Sequence, residues 1–196
     1  MTKIFCLLGK SGSGKSYIYN SILKDHKNLK LKPVIAYTTR PKRTGEVNGK
    51  DYFYLSNEEF KFKASSGEFA TISEYDTVNG KWCYGTQKKF DDNENYLAIT
   101  TPSQYFDLQK NTDSKLYPFY IHLSDELRKE RLKLREAALE KPNYEEIERR
   151  MKTDDVDFSE DVLSKIPDLI KVSNEGYYRV AVNEINNLIY EKIQED

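Results

Sequence analysis

The sequence is short of cysteine, of histidine and of net charge, and each shortage removes a class of function. Its 196 residues contain only two cysteines, Cys6 and Cys83. Two thiols are too few for a disulfide framework or a four-ligand zinc site. Cys6 lies in an apolar run, which points to a buried, reduced thiol. The only histidines, His26 and His122, have no metal-ligating partners nearby in sequence. His122 alternates with apolar neighbours in Phe119-Tyr120-Ile121-His122-Leu123, a strand pattern. The formal net charge is −1, so no global field favours nucleic acid or an anionic membrane. Any anion site must be built locally from a few basic residues. No stretch approaches the ~20 apolar residues of a membrane span. The apolar run 4–8 is short for a signal peptide, and Gly9 interrupts it. The expectation is a cytoplasmic protein without membrane or nucleic-acid partners.

What is present supports a folded domain. Hydrophobic residues make up 38% of the chain, and there are 15 Tyr and 9 Phe. Disordered chains lack such aromatics. The length suits one domain. Residues 4–8 are wholly apolar and end at glycine, as a strand buried on both faces does. A helix is predicted over 15–25, with Ile18, Ile22 and Leu23 on one side. Strands are predicted over 34–38, 51–55, 96–100, 116–123 and 169–172. Ser56-Asn57-Glu58-Glu59 fits a capping box that opens a short helix toward Ser65. Residues 68–82 read as a hairpin turning at Asn79-Gly80. Ser124 caps a long helix to about Leu139, Pro142 breaks it, and a second charged helix covers 144–158. A last helix over 177–193 puts Val180, Ile185, Leu188, Ile189 and Ile193 on one face.

Strands alternating with helices imply an α/β sandwich with a parallel central sheet. The expected parts are a core (1–33, 92–123 and 164–196), a strand-rich acceptor-binding lobe (34–91) and a helical lid region (124–163).

Gly9-Lys10-Ser11-Gly12-Ser13-Gly14-Lys15-Ser16 matches the P-loop pattern G-x-x-x-x-G-K-[ST]. The glycines let the backbone wrap a phosphate and aim N–H groups inward. The following helix adds its positive end. In this pattern Lys15 neutralises the β- and γ-phosphates of ATP, and the Ser16 hydroxyl sits on Mg²⁺. The motif falls between a buried strand and a helix, the context it requires. A second stretch, Thr38-Thr39-Arg40-Pro41-Lys42-Arg43-Thr44-Gly45-Glu46-Val47-Asn48-Gly49-Lys50-Asp51-Tyr52, puts several cations on one loop. Arg40 and Arg43 can each present a planar fork to a phosphate, and Tyr52 a hydroxyl. On spacing alone, a solvated basic loop fits this stretch equally well.

That second stretch, T-T-R-x-x-R-x-G-E-x-x-G-x-D-Y, resembles the acceptor-phosphate loop of the guanylate kinases. The order of parts is also similar to that family, from about Lys3 to about Asn174. The resemblance implies that Arg40, Arg43, Tyr52 and Tyr84 bind the acceptor's phosphate, with Thr86 near the nucleobase. Arg131-Leu132-Lys133-Leu134-Arg135 and Ile147-Glu148-Arg149-Arg150-Met151 resemble the two arginine segments of the family's lid. Arg135 and Arg150 would close over the transferring phosphate, and Arg131 would lie by the ATP. Asn174 would face the ATP base. Taken without the P-loop, these arginines would fit an exposed helix laced with i,i+4 charge pairs.

The chain departs from the family at base recognition. Ala36 stands where a serine touches guanine, and Thr71 where a glutamate reads its edge. Glu74 is the nearby carboxylate nominated to stand in. Ala98 and Thr100 occupy a segment that carries carboxylates in the family. The leading expectation is transfer of phosphate from ATP to GMP. One alternative is a related small-molecule kinase resembling ribose 1,5-bisphosphate kinase. Another is a non-catalytic guanylate-kinase-like binding module, although such modules look degenerate in the P-loop and this one is complete.

Overall fold

The computed structural model describes all residues except 26, 78–79, 139–141 and 196. In chain order its strands are β1 (Lys3–Leu8), β2 (Leu31–Pro33), β3 (Tyr37–Thr38), β4 (Phe53–Tyr54), β5 (Phe69–Thr77), β6 (Gly80–Gln87), β7 (Asn95–Ile99), β8 (Lys115–His122) and β9 (Ile170–Ser173). The α-helices are α1 (Lys15–Asp25), α2 (Asn57–Ser65), α3 (Pro102–Asn111), α4 (Asp125–Ala137), α5 (Tyr144–Asp157), α6 (Glu160–Leu163) and α7 (Tyr178–Gln194).

β1 is buried along its whole length because β7 and β8 pair with it on either side, both parallel. The parallel sheet runs in the order β2-β7-β1-β8-β9. A parallel sheet needs cover on both faces. On one face, Phe5 and Leu7 pack with Ile18 and Ile22 of α1 and with Ile185 and Ile189 of α7. On the other, Ile4, Cys6 and Leu8 pack with Tyr105 and Leu108 of α3 and with Phe158 and Leu163. The result is the expected α/β sandwich. Burial pushes the Cys6 thiol up to about 12, so it stays protonated and inert. No helix of the described residues is long and apolar enough to cross a membrane.

A second sheet has the order β4-β3-β6-β5. Its strands hold two faces apart. One carries Tyr37, Phe53 and Gly85, stacked over Phe69 and over Phe60 of α2. A side chain at Gly85 would meet Phe69 at 3.0 Å and Phe60 at 3.2 Å, so this face is closed by packing. The other face carries Thr38, which is fully buried, with the partly buried Tyr54 and Tyr84.

Several sequence expectations shift here. The strand predicted over 34–38 is two elements. β2 ends the first sheet at Pro33, Val34 donates to Leu97 O at 2.9 Å, and the chain joins the second sheet only at Tyr37. The strand over 51–55 shrinks to Phe53–Tyr54. The hairpin of 68–82 extends through Gln87; its turn residue Asn79 lies outside the described residues, as do Leu139, at the expected end of the lid's first helix, and His26. α3 was not expected, although Thr101 and Gln104 form a capping box and Pro102 sits at its first turn. Ser124 precedes α4 but makes no side-chain cap; its N–H and hydroxyl face the Glu175 carboxylate instead. Val180 is 64% exposed, and α7 buries Ala181, Val182, Ile185, Asn186 and Ile189.

Candidate active site

β1 ends at Leu8, and the glycine-rich turn leads directly into α1 at Lys15. The first N–H groups of a helix have no intrahelical partner and carry its positive end, so they suit an anion. Lys15 folds back over the turn, and its ammonium donates to the carbonyls of Gly9 and Lys10. Burial pushes that ammonium down to about 8; Arg128 and Arg135 add to the fall, and Asp154 opposes it. A phosphate beside Lys15 would restore the charge.

The turn is packed against α4 with no room for side chains. Gly12 has φ 79°, and a Cβ there would meet the Arg128 carbonyl oxygen at 2.9 Å and Leu132 at 3.1 Å. A Cβ on Gly14, at φ 96°, would collide with the Asn174 amide. Glycine at these positions is therefore demanded by packing as well as by phosphate approach.

Ser11, Gly12, Gly14, Lys15, Ser16 and Tyr17 share one cleft of about 370 Å³ with Arg131, Leu132, Arg135 and Arg150. The structure thus brings the P-loop and all three expected arginines of the helical pair together. Arg135 is held below the usual arginine range by burial first and then by Arg150, with Arg43 contributing. Arg43 belongs to the second basic stretch, so that loop reaches the same cleft electrostatically. Arg150 is steadied by Glu146 at 2.8 Å. Such a concentration of cations in one cleft calls for a polyanion.

Other P-loop residues act as braces. Lys10 pairs with Asp155 at 2.7 Å. Ser11 donates through its N–H to Asp154 at 2.7 Å. Ser13 is buried, and its carbonyl accepts from the Asn174 amide at 2.8 Å. Asn174 is itself 3% exposed. Its amide N–H is engaged with the turn, while its Oδ1 has no partner among the described residues. Among the described residues no group of three or more His, Cys, Asp or Glu could hold a metal ion. Ser16 is exposed in the cleft beside Lys15. A single hydroxyl fits an ion carried mainly by phosphate oxygens and water, as Mg²⁺ is.

The Tyr84 face of the second sheet holds the remaining candidates. Arg40 is 5% exposed; its guanidinium donates to Glu46 at 2.7 Å and to the Pro41 carbonyl at 2.9 Å. It lies 5.3 Å over the Tyr52 ring and 5.8 Å over the Tyr54 ring. Tyr52 in turn touches Tyr84 edge-on at 5.9 Å. Arg40, Tyr52 and Tyr84 therefore form one cluster. Glu46, within the same motif, organises the loop, accepting from Arg40, from the Arg43 N–H and from the Tyr54 hydroxyl.

Thr71 and Thr86 are register partners on β5 and β6, both buried, and the Thr71 hydroxyl has no partner among the described residues. Glu74 does not join them. Strand alternation puts Thr71, Ser73 and Tyr75 on the Tyr84 side and Glu74, register partner of Cys83, on the opposite one. Its carboxylate pairs with Lys81 at 3.0 Å. In this arrangement Glu74 lies apart from Thr71 and Thr86.

A buried parallel strand, a complete glycine-rich turn opening a helix, and a cleft of arginines above it define a P-loop protein of the nucleotide-kinase type. The family model for guanylate kinase matches residues 1–195. The chain belongs to the guanylate kinase family. It is 40% identical to the guanylate kinase of Mesomycoplasma hyopneumoniae (strain 7448) over 102 residues, 50% of this chain and 49% of that protein. In such higher-identity matches the chain spans about half the length of the curated relatives. With the guanylate kinase of Clostridioides difficile (strain 630) it is 29% identical over 199 residues, 96% of this chain and 94% of that one. The crystal structure of guanylate kinase from Anaplasma phagocytophilum superposes with TM-score 0.69 at 20% identity, covering 99% of this chain and 87% of that chain. That likeness fixes the fold.

Proposed function

We propose that this protein transfers the γ-phosphate of ATP to GMP, giving ADP and GDP, in the cytoplasm and as part of purine nucleotide metabolism. The observation that carries the reading is the single cleft in which Lys15 lies among Arg131, Arg135 and Arg150, with Arg43 close enough to lower Arg135. Donor and acceptor phosphates would meet there.

Each residue has a part in this reading. The turn from Gly9 to Ser16 wraps the donor phosphates, and Lys15 neutralises them. Arg40, Arg43, Tyr52 and Tyr84 hold the acceptor's phosphate. Thr71 and Thr86 lie toward its base. Arg135 and Arg150 spread the charge of the transferring group, and Arg131 sits on the donor side. Mg²⁺, held by Ser16 and by phosphate oxygens, would supply charge neutralisation between the donor phosphates. No general base is required, because an acceptor phosphate oxygen is already ionised. α4 and α5 act as a lid that expels water, which would otherwise accept the phosphoryl group.

The experiment is a coupled assay of ADP release with ATP·Mg²⁺ against GMP, dGMP, AMP, IMP and phosphorylated sugars. GMP-dependent turnover is the expected result. Turnover with a sugar phosphate and none with GMP would overturn the assignment.

A further inference from the structure

Arg128 is the largest fully buried side chain among the described residues. A guanidinium taken out of water must find both charge and hydrogen-bond partners. Arg128 finds them on three elements. Its Nε donates to the Ser11 carbonyl at 2.9 Å, one terminal nitrogen donates to Asp154 at 2.7 Å, and the other meets Asp125. Asp154 is only 8% exposed and accepts from Ser11 twice, from the N–H at 2.7 Å and from the hydroxyl at 3.3 Å. Ser11 is therefore gripped at its carbonyl by a cation from α4 and at its N–H by an anion from α5.

Helical spacing carries this grip into the cleft. Arg131 and Arg135 lie three and seven residues beyond Arg128 on α4, along one face. Arg150 lies four residues before Asp154 on α5, again on one face. The three cleft arginines thus radiate from a single buried ion pair that is also bolted to the P-loop.

We propose that Arg128 and Asp154 are positioning residues, which lock the P-loop turn and the lid arginines into one register while touching neither substrate. The inference rests on the phosphotransfer reading above. Separating the pair strands a buried charge, so the pair stays made while the lid moves, and closure pivots about it. The spent Ser11 N–H also confines the phosphate-binding donors of the turn to the residues that follow.

The test uses the full-length protein with Asp154→Asn, Arg128→Gln and the double variant. Circular dichroism and thermal melting report the folded fraction. Calorimetry gives the Kd for ADP and, separately, for GMP. Steady-state assays give kcat per folded site. The expected outcome is a fall in kcat and in ADP affinity of about tenfold or more, with GMP affinity moved by less than about twofold. The double variant should cost no more than either single one, because the two residues act as a unit. A lower melting temperature with unchanged kcat and ADP affinity would make the pair merely structural and overturn the proposal. If Asp154→Asn fails to fold, Asp154→Glu retains the charge and displaces it by one methylene. A folded Asp154→Glu with full kcat and ADP affinity would also overturn it. Should the wild type bind ADP but phosphorylate none of the acceptors, the activity assignment fails while the ADP arm still decides the positioning role.

Discussion

The Arg40 guanidinium donates to Glu46 at 2.7 Å, and through that contact one carboxylate sets the shape of a cationic loop. Glu46 also accepts from the Arg43 N–H at 2.8 Å and from the Tyr54 hydroxyl at 2.7 Å. Arg40 is thereby held against Tyr52 and Tyr54 with little freedom. An arginine fixed in place loses less entropy when a phosphate arrives than a free one does. The loop reads as basic, yet its order comes from its acid.

The first prediction concerns pH. The Arg40 contact brings the Glu46 carboxyl down to about 2, partly opposed by its own burial and helped by Arg43 and Tyr54; its ordinary value is 4.5. Above 4.5 both folded and unfolded chains carry the charge, so the pair's stabilisation is complete there. As pH falls from 4.5 toward about 2, the unfolded chain takes up the proton first, and the stabilisation is lost. Glu46→Gln removes this dependence. Urea unfolding at several values between roughly pH 5 and pH 3 should show wild type losing more stability than Glu46→Gln. Parallel slopes would contradict the role given to the pair.

The second prediction separates donor from acceptor. Lys15→Ala should abolish phosphoryl transfer and leave GMP binding in place, because Lys15 lies over the P-loop turn, where its ammonium donates to the Gly9 and Lys10 carbonyls. Arg43→Ala and Arg40→Ala should do the reverse, weakening GMP binding far more than ATP binding. A hydrogen bond to a charged group contributes about 1.5–3 kcal/mol, so each loss should be about tenfold or more. Glu46→Gln should follow the arginines, to a smaller degree. Calorimetry of each variant with GMP and with ATP settles it; equal losses for both ligands would refute the division.

The third prediction concerns the lid. Lys133 and Leu134 are exposed, and Leu134 is 68% so, while Leu132 and Ile147 are buried. Few apolar contacts hold the outer ends of α4 and α5, whereas Arg128 and Asp154 anchor their inner ends. Hydrogen exchange at residues 133–136 and 144–150 should slow on adding a bisubstrate analogue. Exchange near Arg128 and Asp154 should be slow before and after. Protection unchanged in the outer segments would argue against closure.

What the sequence reveals of this site follows the range of the interactions. The P-loop, α1 and the Ser56 capping box depend on neighbours within a turn, and they fall where the motifs put them. The cleft arginines were found by resemblance, since their helix spacing alone fits an ordinary charged surface. The Arg128–Asp154 pair left no trace, because its partners are 26 residues apart on different helices. α3 carried a local signal in Thr101-Pro102-Ser103-Gln104, but its helix buries only Pro102, Tyr105 and Leu108, too sparse a stripe to announce itself. The misplaced strand at 34–38 is a long-range effect: which sheet Tyr37 joins is decided by Tyr84 and Gly85, far along the chain. Spacing places Val180 on the buried face of α7, whereas the helix buries Ala181 and Val182 there and leaves Val180 exposed.

The fourth prediction concerns the base. Polar readers reject a wrong ligand because their own buried groups are then left unpaired. Here Ala36 offers no hydroxyl, and its carbonyl is taken by the Phe53 N–H at 2.9 Å. Thr71 offers one buried hydroxyl without a partner among the described residues, opposite Thr86. A hydroxyl cannot present the two acceptor oxygens with which a carboxylate would meet adjacent donors on guanine. Glu74 sits on the opposite side of the hairpin, paired with Lys81. Discrimination of GMP from AMP and IMP should therefore fall well short of the roughly 10⁴–10⁵ that a fully hydrogen-bonding site achieves. Comparing kcat/KM for the three acceptors in wild type, Glu74→Gln and Thr71→Ala provides the check. Glu74→Gln should leave every ratio where it was, and Thr71→Ala should narrow the gap between GMP and AMP further. A wild type that selects GMP sharply would sink the idea, and if Glu74→Gln then erased that selectivity, the carboxylate must swing to the Tyr84 face when the acceptor binds.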